Sequence, residues 1–295
     1  MRRIRNIIIL SLLISFGLKA QVWSPDGKKI AFFYIHSIED IYLVNADGSN
    51  FKILEGHPER DFSPQWSPDG KQLIFTSVRD GHHEIYRFNT RGKKLKKLTE
   101  TGFDSMDGDY SPDGKSIVFA SNRTGSNELF IMDSDGGGLR RLTHSTMVEN
   151  TPRWSPDGER IMFLGAETDE SDSDIYTIDV DGGNLTRITN TPDIGEFHES
   201  WSPDGSKICY IQVVDGVFEI AIVSAEGGKG LSIVSKKGYQ AFYPSWAPDG
   251  KSITFTRDIM EGTADGLPAL FQVSLEGEEQ MLSDKNSFNL KPKTK

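Results

Sequence analysis

Trp66-Ser67-Pro68-Asp69-Gly70 is the stretch of sequence that decides the fold, because near copies of it occur six times along the 295-residue chain. The proline sets φ for the second position of a type I turn. Serine and aspartate suit the first and third positions, and glycine supplies the left-handed residue that follows. Each copy is therefore predicted to be a tight turn between two strands. The copies lie 43 to 47 residues apart and begin at Trp23, Trp66, Tyr110, Trp154, Trp201 and Trp246.

The six aspartates of these turns resemble, at first sight, a set of acid catalysts. Every repeat needs its turn, so a structural role accounts for all of them. The residues concerned are Asp26, Asp69, Asp113, Asp157, Asp204 and Asp249.

The rest of each repeat predicts further strands. Seven residues after the aromatic comes an aliphatic residue and two further on an aromatic one, as in Leu73 and Phe75, and a spacing of two puts both on one face of a strand. A third apolar run ends at a polar residue and a glycine, which indicates a hairpin into a fourth strand. Four short strands per repeat and six repeats predict an all-β fold, a six-bladed β-propeller of four-stranded antiparallel blades. Its repeats begin near residues 22, 60, 103, 148, 195 and 240.

The first twenty residues differ from the propeller, which is predicted to span residues 21–295. A basic start is followed by the apolar run Ile7 to Phe16 and by Leu18-Lys19-Ala20, which resembles a cleavage site before Gln21. Residues 1–20 are therefore predicted to be a secretory signal peptide, and the run is short for a membrane span. Its removal takes away four positive charges and changes the formal net charge from −10 to −14. Such an acidic protein is a poor partner for nucleic acid or an anionic membrane, and stable membrane insertion is not expected.

Two features bear on stability. Cys209 is the single cysteine and lies in the apolar run Ile208–Ile211, so we expect a buried, inert thiol. The first repeat has no segment after residue 20 that can form an innermost strand, unlike the other five. The tail, residues 285–295, is predicted to supply that strand and close blade 1, and a frayed tail is the alternative.

The repeat resembles that of the TolB family of the Tol–Pal envelope system. The pattern Trp-Ser-Pro-Asp-Gly-Lys, Ile-x-Phe, acidic-Ile-Tyr, Asp-Gly-Gly and Arg-Leu-Thr covers residues 22–283. The resemblance implies a WD40-like propeller that acts as a platform for an envelope protein such as the lipoprotein Pal. Here no α/β domain precedes the repeats, which puts a TolA-type contact in doubt. Such repeats also occur in peptidase propellers and oligogalacturonate lyase, so they specify the fold better than the function.

The innermost strands are where a propeller builds a site, since their side chains line the channel. Converging oxygen ligands there can hold a divalent cation such as calcium, although a water-filled channel without a resident cofactor explains the residues more simply. His198 and Glu199 form the best acid–base pair, yet neighbours in an unbent strand point to opposite faces. The candidate site residues are Asp61, Asp107, Asn150, His198 and Glu199.

Two functions follow. The first is a binding module, a secreted or periplasmic monomer that presents its surface to an envelope protein or glycan, with Phe197, Phe242 and Tyr243 as possible aromatic anchors. The alternative is an enzyme, a metal-dependent lyase, lactonase or hydrolase that acts on a sugar-type substrate in the channel, for which three metal ligands and a base are needed. No nucleophile elbow of the Gly-x-Ser-x-Gly type is present.

Overall fold

The computed structural model describes residues 18–35, 39–45, 50, 52–54, 57–92, 94–99, 102–168, 172–191, 194–234, 239–247, 249–259 and 269–281. These residues form six four-stranded antiparallel sheets, each built from four strands that are consecutive in the chain. The predicted six-bladed β-propeller is confirmed. No helix in the described ranges is long and apolar enough to cross a membrane.

The strands follow the repeats closely. Blade 1 contains β1 (Leu18–Trp23), β2 (Lys29–Ile35), β3 (Glu39–Asn45) and β4 (Lys52–Ile53), and blade 2 contains β5 (Asp61–Trp66), β6 (Gln72–Ser77), β7 (Glu84–Asn89) and β8 (Lys94–Lys97). Blade 3 contains β9 (Ser105–Tyr110), β10 (Ser116–Ser121), β11 (Glu128–Asp133) and β12 (Arg140–Arg141), and blade 4 contains β13 (Val148–Trp154), β14 (Arg160–Ala166), β15 (Asp174–Asp179) and β16 (Thr186–Arg187). Blade 5 contains β17 (Glu196–Trp201), β18 (Lys207–Val214), β19 (Val217–Ser224) and β20 (Leu231–Val234), and blade 6 contains β21 (Tyr239–Trp246), β22 (Ser252–Ile259), β23 (Ala269–Ser274) and β24 (Glu279–Met281).

The first strand of each blade is the innermost. It pairs on one side only within its sheet, and it contacts the first strand of a neighbouring blade in the pairs β1–β5, β5–β9, β9–β13 and β17–β21. First strands that meet one another in this way surround the axis of the propeller. The side chains of these strands are therefore the ones that determine what the channel presents.

The Ser-Pro-Asp-Gly segments form the predicted turns. In the second copy Gly70 N donates to Ser67 O at 2.8 Å, Gly70 has a φ of +66°, and Ser67 Oγ donates to Asp69 Oδ1 at 2.7 Å. Neighbouring turns also touch, because a Cβ built on Gly70 would lie 3.6 Å from Cδ of Pro25 in the preceding blade. The turn aspartates thus have the structural role that the sequence predicts.

The core combines aliphatic residues with stacked aromatic pairs on the second and third strands. Phe119 and Phe163 are completely buried, and their rings stack on Phe130 and Tyr176 at centroid distances of 6.0 and 5.6 Å. Cys209 is also fully buried in β18, where burial raises the pKa of its thiol. The expected inert thiol therefore lies in the core, and apolar packing between blades holds the sheets together.

Threonines at the end of the fourth strands join consecutive blades. Thr189 Oγ1 accepts from the backbone N–H of Ile175 at 2.8 Å and donates to Glu196, in the inner strand of the next blade, at 2.5 Å. Thr143 makes the equivalent contact with Glu149. One hydroxyl therefore satisfies a backbone donor and a buried carboxyl at once, which explains the threonine of the Leu-Thr or Ile-Thr pair.

Blade 1 has an inner strand that includes residues of the predicted signal peptide. Residues 18–23 form β1 and pair with β2, from Leu18 opposite Tyr34 to Trp23 opposite Ile30. The predicted cleavage point after Ala20 therefore falls within a strand. Residues 285–295 lie outside the described residues, so their proposed role in closing the blade stays a prediction.

Candidate functional site in the inner strands

The inner strands of blades 2 to 6 share an unusual backbone feature three residues before the aromatic residue that ends each strand. A non-glycine residue there has a positive φ, and the pairing register with the second strand shifts at the same place. Two residues then oppose one, which defines a β-bulge. Left-handed backbone at non-glycine residues is uncommon and tends to occur at functional sites. The residues, with φ between +50° and +57°, are Ser63, Asp107, Thr151, His198 and Tyr243, here called the inner ring.

Inner-ring side chains contact residues of the neighbouring blades. Ser63 Oγ donates to Asp107 Oδ1 at 2.7 Å. The His198 and Tyr243 rings lie 4.3 Å apart between their centroids, with an interplanar angle of 35°. Because these strands surround the axis, the inner ring places hydrogen-bonding and aromatic groups from five blades around it.

Glu199 directly follows the inner-ring residue of its strand, and it is the one charged residue at this position in blades 2 to 6. This position is buried in blades 2 to 6, and the other four blades place Pro64, Gly108, Pro152 and Pro244 there. Glu199 is only 8% exposed, and its Oε1 accepts from Thr151 Oγ1 at 2.7 Å. Its Oε2 has no hydrogen-bond partner among the described residues. Burial accordingly raises the pKa of Glu199 to about 7.

Arg153 supplies a positive charge that acts on this carboxyl. Its charge lowers the pKa of both Glu199 and Asp109, whereas burial, the larger effect, raises both. The Arg153 guanidinium donates from Nη1 to Pro152 O at 2.9 Å and to Asp107 O at 3.4 Å. Asp107 contributes a further negative charge that raises the pKa of Glu199. The cluster has more carboxyls than cations, so it favours a proton or a cationic or hydrogen-donating ligand.

Aromatic side chains flank the inner ring between blades 5 and 6. Phe197 and Phe218 meet edge to face at 5.5 Å, and Phe218 lies 5.2 Å from Phe242. Phe197 and Phe218 pack against the hydrophobic core between these blades. Of the three aromatic anchors expected from the sequence, Phe197 therefore supports the core, while Tyr243 belongs to the inner ring itself.

The structure separates the five predicted site residues. Asp107 and His198 lie in the inner ring, and Glu199 follows it. The bulge interrupts the strand alternation at His198, whose side chain is partly exposed, whereas the side chain of Glu199 is buried. Asn150 lies one position before the inner-ring residue Thr151, and its Oδ1 accepts from Asn127 Nδ2 at 2.8 Å.

Asp61 is a correction to the predicted site. It occupies the first position of β5, is 1% exposed, and its Oδ2 accepts from Arg79 Nη2 at 2.9 Å. The Arg79 guanidinium also lies 4.7 Å from the ring centroid of Tyr86. A buried carboxylate held by a buried arginine supports blade 2 and is not presented to the channel.

Sequence reasoning missed Ser63, Thr151 and Arg153, because it did not anticipate the bulges in the inner strands. A signal was available. Pro64 and Pro152 each lie in the middle of an inner strand, and proline within a sheet is confined to edges and bulges.

Metal ligands do not converge in the part of the chain that the structure describes: no group of three or more His, Cys, Asp or Glu side chains there is arranged to hold an ion. The calcium hypothesis stays a prediction.

The chain is therefore a six-bladed propeller in which the inner strand of each of five blades contributes a different residue to the inner ring. The family described as TolB beta propeller domain matches residues 15–117 and 105–293, and the chain belongs to this family. The resemblance to TolB repeats is thereby confirmed.

Among curated proteins, the Tol-Pal system protein TolB of Alcanivorax borkumensis is 36% identical over 69 residues, 22% of this chain and 15% of that protein. The first curated relatives are matched over less than a quarter of their own length.

Among solved structures, TolB from Acinetobacter baumannii has a TM-score of 0.65 and 22% identity, covering 90% of this chain and 63% of that one. Oligogalacturonate lyase from Vibrio parahaemolyticus has a TM-score of 0.66 and 17% identity, covering 90% and 77%. At these identities the likeness concerns the fold alone.

Proposed function

We propose that the protein is a secreted or periplasmic binding module of the cell envelope, whose inner ring receives a segment of a partner protein such as a Pal-like lipoprotein. Membership of the TolB propeller family and the likeness to proteins named for the Tol-Pal system support the envelope role. The basic and apolar pattern of residues 1–20 supports export. The module is expected to be monomeric.

One observation carries the proposal. The inner ring keeps the same left-handed backbone in five blades, yet it carries a different residue in each. Non-glycine residues in this conformation cost on the order of 1–3 kcal/mol each, a cost that glycine would avoid. A bulge with a purely structural role could use glycine and would need none of these side chains. A surface that recognises a particular ligand does need them, which would explain why the strain is accepted.

The test is a pull-down from an envelope extract of the source organism, with captured proteins identified by mass spectrometry. The bait is residues 21–295, compared with a His198→Asn, Tyr243→Asn double variant. Asparagine tolerates the left-handed region, so the bulges are expected to remain while the aromatic surface is lost. Specific capture of a Pal-like lipoprotein by the unmodified bait, and its loss with the variant, would support the proposal.

A matched control keeps the result interpretable. Lys115→Ala changes an exposed residue beside a turn and should leave capture unchanged. Capture that is equal with all three baits would place the contact outside the inner ring. The absence of any specific envelope protein would contradict the binding-module proposal.

Glu199 favours a second candidate, an enzyme that acts on a sugar-type substrate in the channel. A buried carboxyl with a pKa of about 7 has the proton affinity of a general acid or base at neutral pH. A screen of sugar acids and lactones, with and without a divalent cation, tests it. Turnover that is lost in Glu199→Gln would support this alternative, and turnover that persists in that variant would contradict the assignment of Glu199.

A further inference from the structure

A groove of about 460 Å³ lies between blades 3 and 4, beside the Ser-Pro-Asp-Gly turns and away from the inner ring. The side chain of Trp154 is partly exposed there. The lining residues that matter to its chemistry are Ser116, Trp154, Asp113, Asp133, Asp157 and Arg140.

At the next blade boundary, the corresponding place is occupied by the protein's own side chain. Arg160, at the start of the second strand of blade 4, places its guanidinium 5.4 Å from the ring centroid of Trp201 in blade 5. The same guanidinium pairs with Glu226 at 3.1 Å. Between blades 2 and 3, Gln72 Oε1 accepts from the hydroxyl of Tyr110 at 3.4 Å. At these two boundaries, the residue that begins the second strand of one blade therefore contacts the aromatic residue of the next.

Ser116 is too short to do this for Trp154. Its side chain ends at one hydroxyl, so the groove remains open where the side chain of an arginine at this position would lie. Ser252 is also short, but the side chain of its counterpart in blade 1, Trp23, is not among those described. The residues at this position in blades 1 to 6 are Lys29, Gln72, Ser116, Arg160, Lys207 and Ser252.

The charge of the groove selects among possible ligands. The backbone N–H of Lys115 and the hydroxyl of Ser111 lower the pKa of Asp113 to about 2, and hydrogen bonds from Ser155 and Glu159 lower the pKa of Asp157. Both carboxylates are therefore ionised at neutral pH. The lining also contains the exposed side chain of Asp133.

The one cation among the lining residues that the structure describes is Arg140, whose Nη2 donates to Val180 O at 2.5 Å. Three carboxylates beside an indole ring favour a planar cation, which can stack on the ring and bond to the carboxylates together.

We propose that this groove binds an arginine side chain of a partner polypeptide, with its guanidinium over Trp154 as that of Arg160 lies over Trp201. The intramolecular contact between blades 4 and 5 supplies the geometry. The site is separate from the inner ring and does not depend on its function.

The experiment is isothermal titration calorimetry at low salt with an acetylated, amidated hexapeptide of alternating glycine and arginine. Peptides with lysine or glutamine in place of arginine serve as probes of charge and shape. The arginine peptide should bind about tenfold more tightly than the lysine peptide, because stacking and bidentate pairing both favour guanidinium. The glutamine peptide should not bind.

Ser116→Arg is the decisive variant, because it supplies the missing side chain from within. Its binding of the arginine peptide should fall by about tenfold or more, while its melting temperature stays equal or rises. Ser116→Gln, which copies Gln72, provides a second capping variant if the first folds poorly. Unchanged binding in a folded capping variant would overturn the proposal, as would equal binding of all three peptides or none.

The converse variant sharpens the test. Arg160→Ser should uncover Trp201 and create a second arginine site, so the stoichiometry of the peptide should rise from one to two. A stoichiometry that stays at one would contradict the use of the Arg160–Trp201 contact as the geometry of the proposed site.

Discussion

Two sets of left-handed residues can be compared in this propeller, those that close the Ser-Pro-Asp-Gly turns and those of the inner ring. The turns use glycine in all six copies, with φ between +63° and +76°. The inner ring, in blades 2 to 6, uses serine, aspartate, threonine, histidine and tyrosine with similar φ values. Where only the backbone matters, the chain uses the residue that adopts this conformation freely. The inner ring accepts strain to carry side chains, which supports the proposal that it is adapted to a ligand.

The largest expected effect concerns the inner strand of blade 1, the one blade that is absent from the inner ring. With residues 18–20 present, β1 fills the inner position, so deletion of residues 285–295 should change the melting temperature little. In a chain that begins at Gln21, the tail is predicted to complete the strand, and the same deletion should lower the melting temperature by about 5 °C or more. Calorimetry of the four chains checks this.

An effect of the tail deletion that is independent of residues 18–20 would contradict strand replacement. No effect in either background would leave a frayed tail as the correct description.

The first position of the inner strands provides the next test. Arg79→Ala leaves the buried carboxylate of Asp61 without its cation and should lower the free energy of unfolding by about 3–5 kcal/mol. Arg123→Ala is the matched control, because Arg123 packs on Phe130 in the same way but donates to the hydroxyl of Ser105. It should cost about 1–2 kcal/mol. Urea denaturation measures both.

Equal losses in the two arginine variants would show that aromatic packing, and not the charge of Asp61, sets the requirement for Arg79.

Glu199 gives the inner strands a pH dependence near neutral pH, whereas the lowered pKa values of turn aspartates such as Asp69 and Asp113 affect stability only at acidic pH. The folded-state pKa of Glu199, about 7, lies above the unfolded value of about 4.3, so the folded state holds a proton that the unfolded state has lost between these values. The free energy of unfolding should therefore fall as the pH rises through this window, by on the order of 3 kcal/mol. Glu199→Gln should remove this loss, so the variant gains stability over the unmodified protein at pH 8 but not at pH 4.5.

Glu196→Gln is the control for this titration. Burial also raises the pKa of Glu196 to about 7, but both of its oxygens accept from Thr189 and Thr191 hydroxyls. Glutamine loses one of these acceptors, so the gain at pH 8 should be smaller. A Glu199→Gln gain that is the same at both pH values would rule out titration as its cause.

The smallest effects come from exchanging the two kinds of left-handed residue. Gly114→Ala, at a φ of +71°, should lower the free energy of unfolding by about 1–2 kcal/mol. Ser63→Gly should change it by less than about 1 kcal/mol, because relief of strain offsets the lost hydrogen bond to Asp107 and the greater entropy of the unfolded chain. Thermal denaturation of both variants measures the difference. A large loss in Ser63→Gly would assign the inner ring a structural purpose.

Much of the fold could be predicted because its signals are local. Six turns with fixed chemistry and strands such as Leu73–Phe75 gave the blade number and the strand order without any contact information. The site was harder. Asp61 and Asp107 are both acidic residues of inner strands, but only the bulge and the position of Arg79 assign one to the core and the other to the inner ring.

The sequence by itself determined the repeat, the turns, the propeller and its relation to TolB, because each depends on residues that are close together in the chain. The tertiary structure decided which side chains meet. Glu199 lies beside Thr151, 48 positions earlier, and Trp154 is left uncovered because Ser116, in the preceding blade, is short. Such contacts join different blades, and no spacing within one repeat encodes them, so burial, pKa and the open groove emerge only when the blades are packed together.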